Sequence, residues 1–313
     1  MQMNLQTQLA PCHKRGLLLR NPVVVASGTF GYGMDNTNIA EVHRLGAITC
    51  KGTTLNPRSG NEQPRTMQTA SGMLNAIGLQ NPGIYTVIEK YAPIWATWQT
   101  PVIVNIAGET IEEFVELATL LEGVEGVAGI EVNVSCPNVL AGGAVFGADA
   151  QTVAMVTASV RRATTLPLIV KLSPNNGDAR TTALAAASSG ADAVSLINTI
   201  TGMGIDISMR RPTLANVTGG LSGPAIKPIA LRMVYDVARE LRSSYPQVSV
   251  IGIGGISNAN DALEFLMAGA SAIQVGTINF TNPRAGVEIV EGIEEFMRQE
   301  RVESITELVG AAL

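Results

Sequence analysis

The chain has 313 residues, 46% of them hydrophobic, 15% charged and 4% aromatic, with a net charge of −5. That composition excludes a disordered or fibrous chain and supplies enough Val, Ile, Leu and Ala for a large core around a buried sheet. Interspersed charges without an aromatic-interleaved Lys/Arg run argue against a nucleic-acid partner.

The three cysteines, Cys12, Cys50 and Cys136, form no CxxC pair and no disulfide framework, as suits a reducing compartment. Cys12-His13 is nominally metal-binding, but His13 and His43 are the only histidines, so no metal site is expected. The N-terminus lacks an apolar signal core, and no run approaches the roughly 18 apolar residues of a membrane span. A cytoplasmic protein without membrane contact is the expectation.

Residues 4–20 alternate loosely around Pro11 to Gly16 and read as a short β-hairpin ahead of the main fold. The β-branched run Val23 to Gly28 follows, then a helical stretch ending near Leu45-Gly46. Seven further strands read at 47–52, 102–108, 130–136, 168–172, 194–199, 248–254 and 272–277. Helical periodicity is clearest at 109–122, 150–163, 178–189, 226–243, 258–268 and 283–299. Leu45-Gly46-Ala47, Ser189-Gly190-Ala191 and Ala268-Gly269-Ala270 each close a helix with glycine and open a strand. Eight such units predict one α/β domain over 1–313, a (β/α)8 TIM barrel. A doubly wound sheet is the competing topology, but the G-x-G-x-x-G after its first strand is absent. Residues 53–83 and 200–224 exceed plain connectors and leave from C-terminal strand ends, where barrel sites lie, so they read as substrate lids.

The strand ends bring one polar set to the C-terminal rim: Ser27, Lys51, Asn105, Asn133, Cys136, Lys171, Asn198, Thr199, Gly254-Gly255 and Gly276-Thr277. Lysines at the ends of apolar strands are costly unless they meet an anion or an electron-rich ring. Glycines after the seventh and eighth strands favour a phosphate-bearing ligand, and without a Walker loop FMN suits better than ATP. Asn133 and Ser135 project to one face, and Pro137 ends the strand at Cys136. That cysteine is either a quiet core thiol or, with a lowered pKa, a base that needs no histidine. A flavin-free aldolase using Lys171 as a Schiff-base nucleophile, and a scaffold barrel without activity, are the readings from other classes.

Asn133-Val134-Ser135-Cys136-Pro137-Asn138, Leu74 to Gly83 (LNAIGLQNPG), Lys51-Gly52-Thr53-Thr54 and Leu221-Ser222-Gly223-Pro224-Ala225 resemble the signatures of class 1B dihydroorotate dehydrogenase, catalytic FMN-binding subunit. The resemblance spans nearly the whole chain. It implies oxidation of dihydroorotate to orotate, with Cys136 as the catalytic base. It also implies FMN contacts from Ser27, Lys51, Gly52, Asn105, Asn133, Lys171, Ile197, Gly223, Gly254, Gly255, Gly276 and Thr277. Substrate contacts are implied for Lys51, Asn75, Ala76, Ile77, Gly78, Leu79, Asn133, Asn198 and Thr199. A further implication is a homodimer core of a heterotetramer, whose partner subunit carries FAD and a [2Fe-2S] cluster and passes electrons to NAD. Three scattered cysteines cannot ligate that cluster themselves. One departure is visible at Val139 to Gly143, where a lysine or another polar residue is expected near Leu140.

Overall fold

The structure, a computed structural model, describes residues 3–34, 41–135, 149–175 and 177–313. The chain opens with the antiparallel pair β1 (Thr7–Gln8) and β2 (Leu18–Leu19), then β3 (Val23–Val25) and β4 (Ala47–Thr49). It continues through β5 (Thr66–Thr69), β6 (Gly72–Asn75), α1 (Ile84–Thr86) and α2 (Ala92–Trp95) to β7 (Val102–Ile106), α3 (Ile111–Leu121) and β8 (Val127–Asn133). Next come α4 (Ala150–Ala163), β9 (Leu168–Lys171), α5 (Ala179–Ser188), β10 (Ala193–Leu196), β11 (Ile200–Met203), β12 (Ile205–Asp206), β13 (Arg211–Pro212) and β14 (Thr218–Ser222). The last elements are α6 (Lys227–Ser244), β15 (Ser249–Ile253), α7 (Ala259–Met267), β16 (Ala272–Val275) and α8 (Ala285–Glu300).

Strands β3, β4, β7, β8, β9, β10, β15 and β16 pair in parallel, and β16 closes on β3. The expected (β/α)8 barrel and its N-terminal hairpin are therefore present. Helix starts agree with the sequence reading because side-chain caps set them: Thr110, Asp149, Asp178 and Asn258 each accept a hydrogen bond from a backbone N–H in the first turn. The helix expected to end near Leu45 is, among the described residues, only a 3-10 turn at Val42–Arg44. Its earlier part falls on residues 35–40, outside the described residues. The helical segment from Ile84 to Trp95 was not anticipated. Pro93 interrupts its periodicity, and tertiary packing supplies what propensity lacks: Tyr91 stacks on Tyr32 at 4.5 Å, and Trp95 Nε1 donates to the Tyr32 carbonyl.

Two apolar cores arise from the period of two along each strand. Outward residues pack against the helices, while Val24, Ala47, Ile103, Ile169, Ala193, Ile251 and Ala272 form a separate cluster with Leu9, Leu17 and Leu19 of the hairpin. The hairpin thus plugs the N-terminal end of the barrel. Its turn is held by Gln8, whose Oε1 accepts from the Leu17 and Ala10 N–H groups.

The two long connections are not plain lid loops. They contribute β5, β6, β11 and β14 to one antiparallel sheet in the order β11-β14-β6-β5, with Leu221 opposite Leu74 and Gly220 opposite Asn75. Among these four strands only Leu74 is buried, so neither half carries the apolar alternation of a strand alone. The pairing joins segments about 145 residues apart and covers the barrel's C-terminal rim.

Candidate active site

One step above the apolar layer, the same alternation brings polar side chains into the barrel. Thr49, Asn105, Lys171, Ser195 and Gln274 each lie two residues after a member of the inner cluster, and Glu131 lies two residues before Asn133. Register places Asn105 beside Glu131, and Lys171 between Asn133 and Ser195. Glu131 is fully buried. Its Oε1 accepts from Asn105 Nδ2 at 2.7 Å and faces Lys171 Nζ at 3.9 Å; its Oε2 accepts from Ser195 Oγ at 2.9 Å and Gln274 Nε2 at 2.8 Å. Gln274 Nε2 also reaches Thr49 Oγ1 at 3.3 Å. Sequence reasoning missed Glu131, Ser195, Gln274 and Thr49. A usable signal existed, since a carboxylate inside Ile130-Glu131-Val132 and an amide inside Ile273-Gln274-Val275 cannot stay buried without partners.

Above this layer the expected rim residues converge. Lys171 Nζ donates to Ser27 Oγ at 3.2 Å. Asn198 Nδ2 donates to Ser135 Oγ at 2.5 Å, which donates to Asn133 Oδ1 at 2.6 Å, while Asn198 Oδ1 accepts from the Thr199 N–H. Strand β8 ends at Asn133 and not at Cys136, because Val134 N–H turns back to the Val132 carbonyl. From the covering sheet, Asn75 Nδ2 donates to the Gly220 carbonyl, and a Cβ on Gly220 would meet Thr199 Oγ1. The Ala76 N–H donates to the Arg65 carbonyl and the Ile77 carbonyl accepts from the Asn61 N–H, carrying the segment to Gly78 and Leu79. Leu79 then lies against Gly52, whose other neighbour is Asn105 Oδ1.

The glycines form a second cluster. Gly255, at φ 73°, has no room for a side chain, since a Cβ would sit 2.8 Å from the Gly223 carbonyl oxygen. Gly254 lies against Ile197, which is buried. Beside Gly223, Thr277 Oγ1 donates to Ser222 Oγ at 2.9 Å, and above Gly276 the nearest atom to a Cβ would be 3.6 Å away. Backbone N–H groups with small neighbours suit an anion such as a phosphate.

Among the described residues, three groups in the site lack partners, Asn105 Oδ1, Gln274 Oε1 and the Lys51 ammonium. Asn105 Oδ1 is buried without a hydrogen bond, so the site offers an amide oxygen to an N–H donor on a ligand. Among the described residues, the Lys51 ammonium has no acceptor or carboxylate partner; burial and then repulsion from Arg65 push its pKa below the ordinary lysine value. A cation so placed gains from an anionic ligand. These unpaired groups and the glycine cluster fit the polar ring system and phosphate of FMN. Cys136 and the altered stretch Val139 to Gly143 lie outside the described residues.

Cys50 is no candidate for a base. It is fully buried, and burial pushes its thiol up to about 12. Cys12 is exposed, so a thiol reagent at pH 8 is expected to label Cys12 in the folded protein and Cys50 only after denaturation, read by peptide mass mapping. The folded thiol stays protonated where the unfolded one ionises, so Cys50 makes stability fall as pH rises from 9 to 12. Any advantage of the wild type over Cys50→Ala in urea midpoint is expected to shrink over that window.

The chain matches the dihydroorotate dehydrogenase family over residues 12–297. It is 55% identical over 296 residues to the dihydroorotate dehydrogenase B (NAD(+)) catalytic subunit of Pelobacter propionicus, covering 95% of this chain and 96% of that protein. With the protein of the same name from Thermoanaerobacter pseudethanolicus it shares 52% identity over 309 residues, 99% of either chain. A crystal structure of DHODH from Eimeria tenella in complex with ferulenol superposes with a TM-score of 0.79 at 21% identity, over 99% of this chain and 88% of the other, which bears on the fold alone. With rim, glycine cluster and unpaired cation in place, the chain belongs to the dihydroorotate dehydrogenase family of FMN-dependent oxidoreductases, among its class 1B catalytic subunits.

Proposed function

We propose that this chain oxidises dihydroorotate to orotate in pyrimidine biosynthesis, with Cys136 as the base and FMN as the electron acceptor. The observation that carries the reading is the pair of unsatisfied groups, the Lys51 ammonium and Asn105 Oδ1, facing a rim of amides. Forming the ring C=C removes a proton from one carbon and a hydride from its neighbour. FMN, when bound, supplies acceptance of the hydride at N5. The Cys136 thiolate takes the proton. Lys51 pairs with the substrate carboxylate; Asn75, Asn133, Asn198 and Thr199, with the backbone from Ala76 to Leu79, orient its amides. Ser27, Gly52, Asn105, Lys171 and Ile197 hold the ring of the cofactor, and Gly223, Gly254, Gly255, Gly276 and Thr277 its phosphate.

Electrons then leave for NAD through a partner subunit carrying FAD and a [2Fe-2S] cluster, in a heterotetramer built on a dimer of this chain. The relatives' naming as NAD-linked catalytic subunits supports that arrangement. Among the described residues no helix is long and apolar enough to cross a membrane. A cytoplasmic location fits the pathway.

Purified protein reconstituted with FMN is expected to be yellow and to bleach anaerobically on addition of dihydroorotate. A protein that stays colourless refutes the cofactor; a yellow protein that dihydroorotate cannot bleach refutes the substrate. Size-exclusion chromatography of the co-expressed subunits that never co-elute refutes the complex. Lys51→Met is expected to weaken orotate binding by about one to two orders of magnitude, since a hydrogen bond to a charged group contributes ~1.5–3 kcal/mol. In the wild type, orotate binding should weaken with rising pH starting below the ordinary lysine value, because the free site loses the Lys51 proton early. Titrations followed by the flavin spectrum measure both.

A further inference from the structure

We infer that Glu131 is a positioning residue of the cofactor site: it fixes which way the Asn105 amide faces and offsets the charge of Lys171. The inference rests on the FMN reading above. Asn105, Ser195 and Gln274 donate to its two oxygens, and Lys171 lies at 3.9 Å. Among the described residues only donors meet it, a set that an acceptor-only carboxylate satisfies.

That set determines the polarity of what lies above. Because Asn105 Nδ2 is held by Glu131 at 2.7 Å, Asn105 Oδ1 is the atom left unpaired beside Gly52. Gln274 is turned the same way, with Nε2 bound to Glu131 and Thr49 and Oε1 left over. An uncharged carboxamide at position 131 can present only one acceptor oxygen, and its NH2 would oppose the donors that now converge there. Asn105 would then be free to turn its NH2 outward, offering a donor to a ligand that needs an acceptor. The charge of Lys171 would also stand uncompensated beside the cofactor.

The test is Glu131→Gln compared with the wild type after removal of bound flavin, by titration with oxidised and dithionite-reduced FMN. Affinity for oxidised FMN is expected to fall about ten- to a hundredfold, from one misdirected hydrogen-bonding group in a charged network. The ratio of reduced to oxidised affinity is expected to rise about tenfold, because an anion is removed beside Lys171; that ratio corresponds to a midpoint ~30 mV more positive for a two-electron couple. A merely structural role for Glu131 would weaken both redox states equally and leave the ratio at its wild-type value, which overturns the inference. Should Glu131→Gln not fold, Ser195→Ala removes one donor and is expected to weaken FMN by about twofold to fivefold, a fraction of what a hydrogen bond to a charged group contributes, because Ser195 acts on the cofactor only through Glu131. Wild-type FMN affinity in Ser195→Ala overturns the inference in that case. Absence of FMN binding by the wild type refutes the function proposed above, so the two failures are distinct.

Discussion

Cys136→Ser is expected to retain FMN with unchanged affinity while dihydroorotate reduces it about two to four orders of magnitude more slowly, the usual contribution of a general base. A thiol starts from a pKa of ~8.5 and can supply a thiolate at neutral pH, whereas a serine hydroxyl ionises far less readily. The loss should narrow as the pH is raised, because the alcohol needs the more basic medium. Anaerobic stopped-flow spectroscopy of flavin bleaching measures the chemical step without the partner subunit. Reduction at near wild-type rate at pH 7 would rule out Cys136 as the base. Cys50 is a buried thiol and Cys12 is exposed in the loop of the plugging hairpin, so the proposed role of Cys136 has no competitor among the thiols of the described residues.

The second large effect concerns stability. Lys171 is 5% exposed and Glu131 fully buried, so Lys171→Met leaves a buried carboxylate with neutral donors only. Breaking such a pair from one side costs ~3–5 kcal/mol, more than any surface ion pair of this protein contributes. The urea midpoint should fall accordingly, and Lys171→Met/Glu131→Gln should recover part of the loss, because the uncompensated charge is gone. A midpoint equal to the wild type in Lys171→Met would show that the donors from Asn105, Ser195 and Gln274 suffice. The same substitution removes the contact to Ser27, so weaker FMN retention should accompany it.

How much was legible varies by element. Val102 to Val104 and Leu168 to Val170 are β-branched or aliphatic runs that need burial on both faces, and they stand in the barrel as read. Helical periodicity at 150–163, 178–189 and 258–268 was legible, and the structure starts those helices at Asp149, Asp178 and Asn258, whose side chains accept from first-turn N–H groups. The segment from Ile84 to Trp95 lacked such a signal, and stacking against Tyr32 from an earlier loop holds it instead. Thr66–Thr69 and Thr218–Ser222 likewise read as loop, since their strand character depends on pairing with chain far away.

For the site, strand-end position alone collected Ser27, Lys51, Asn105, Asn133, Lys171 and Asn198, because a parallel barrel gathers every C-terminal strand end on one face. Local sequence thus determined the eight repeating units and the polar residues at the strand ends. Both follow from patterns of residues a few positions apart. Only the tertiary structure decided that Glu131 receives Asn105, Ser195 and Gln274, which lie 26, 64 and 143 positions away, and that the two long connections join as one sheet. Closure of the barrel brings those groups together, and burial then selects the one arrangement in which the carboxylate has its donors.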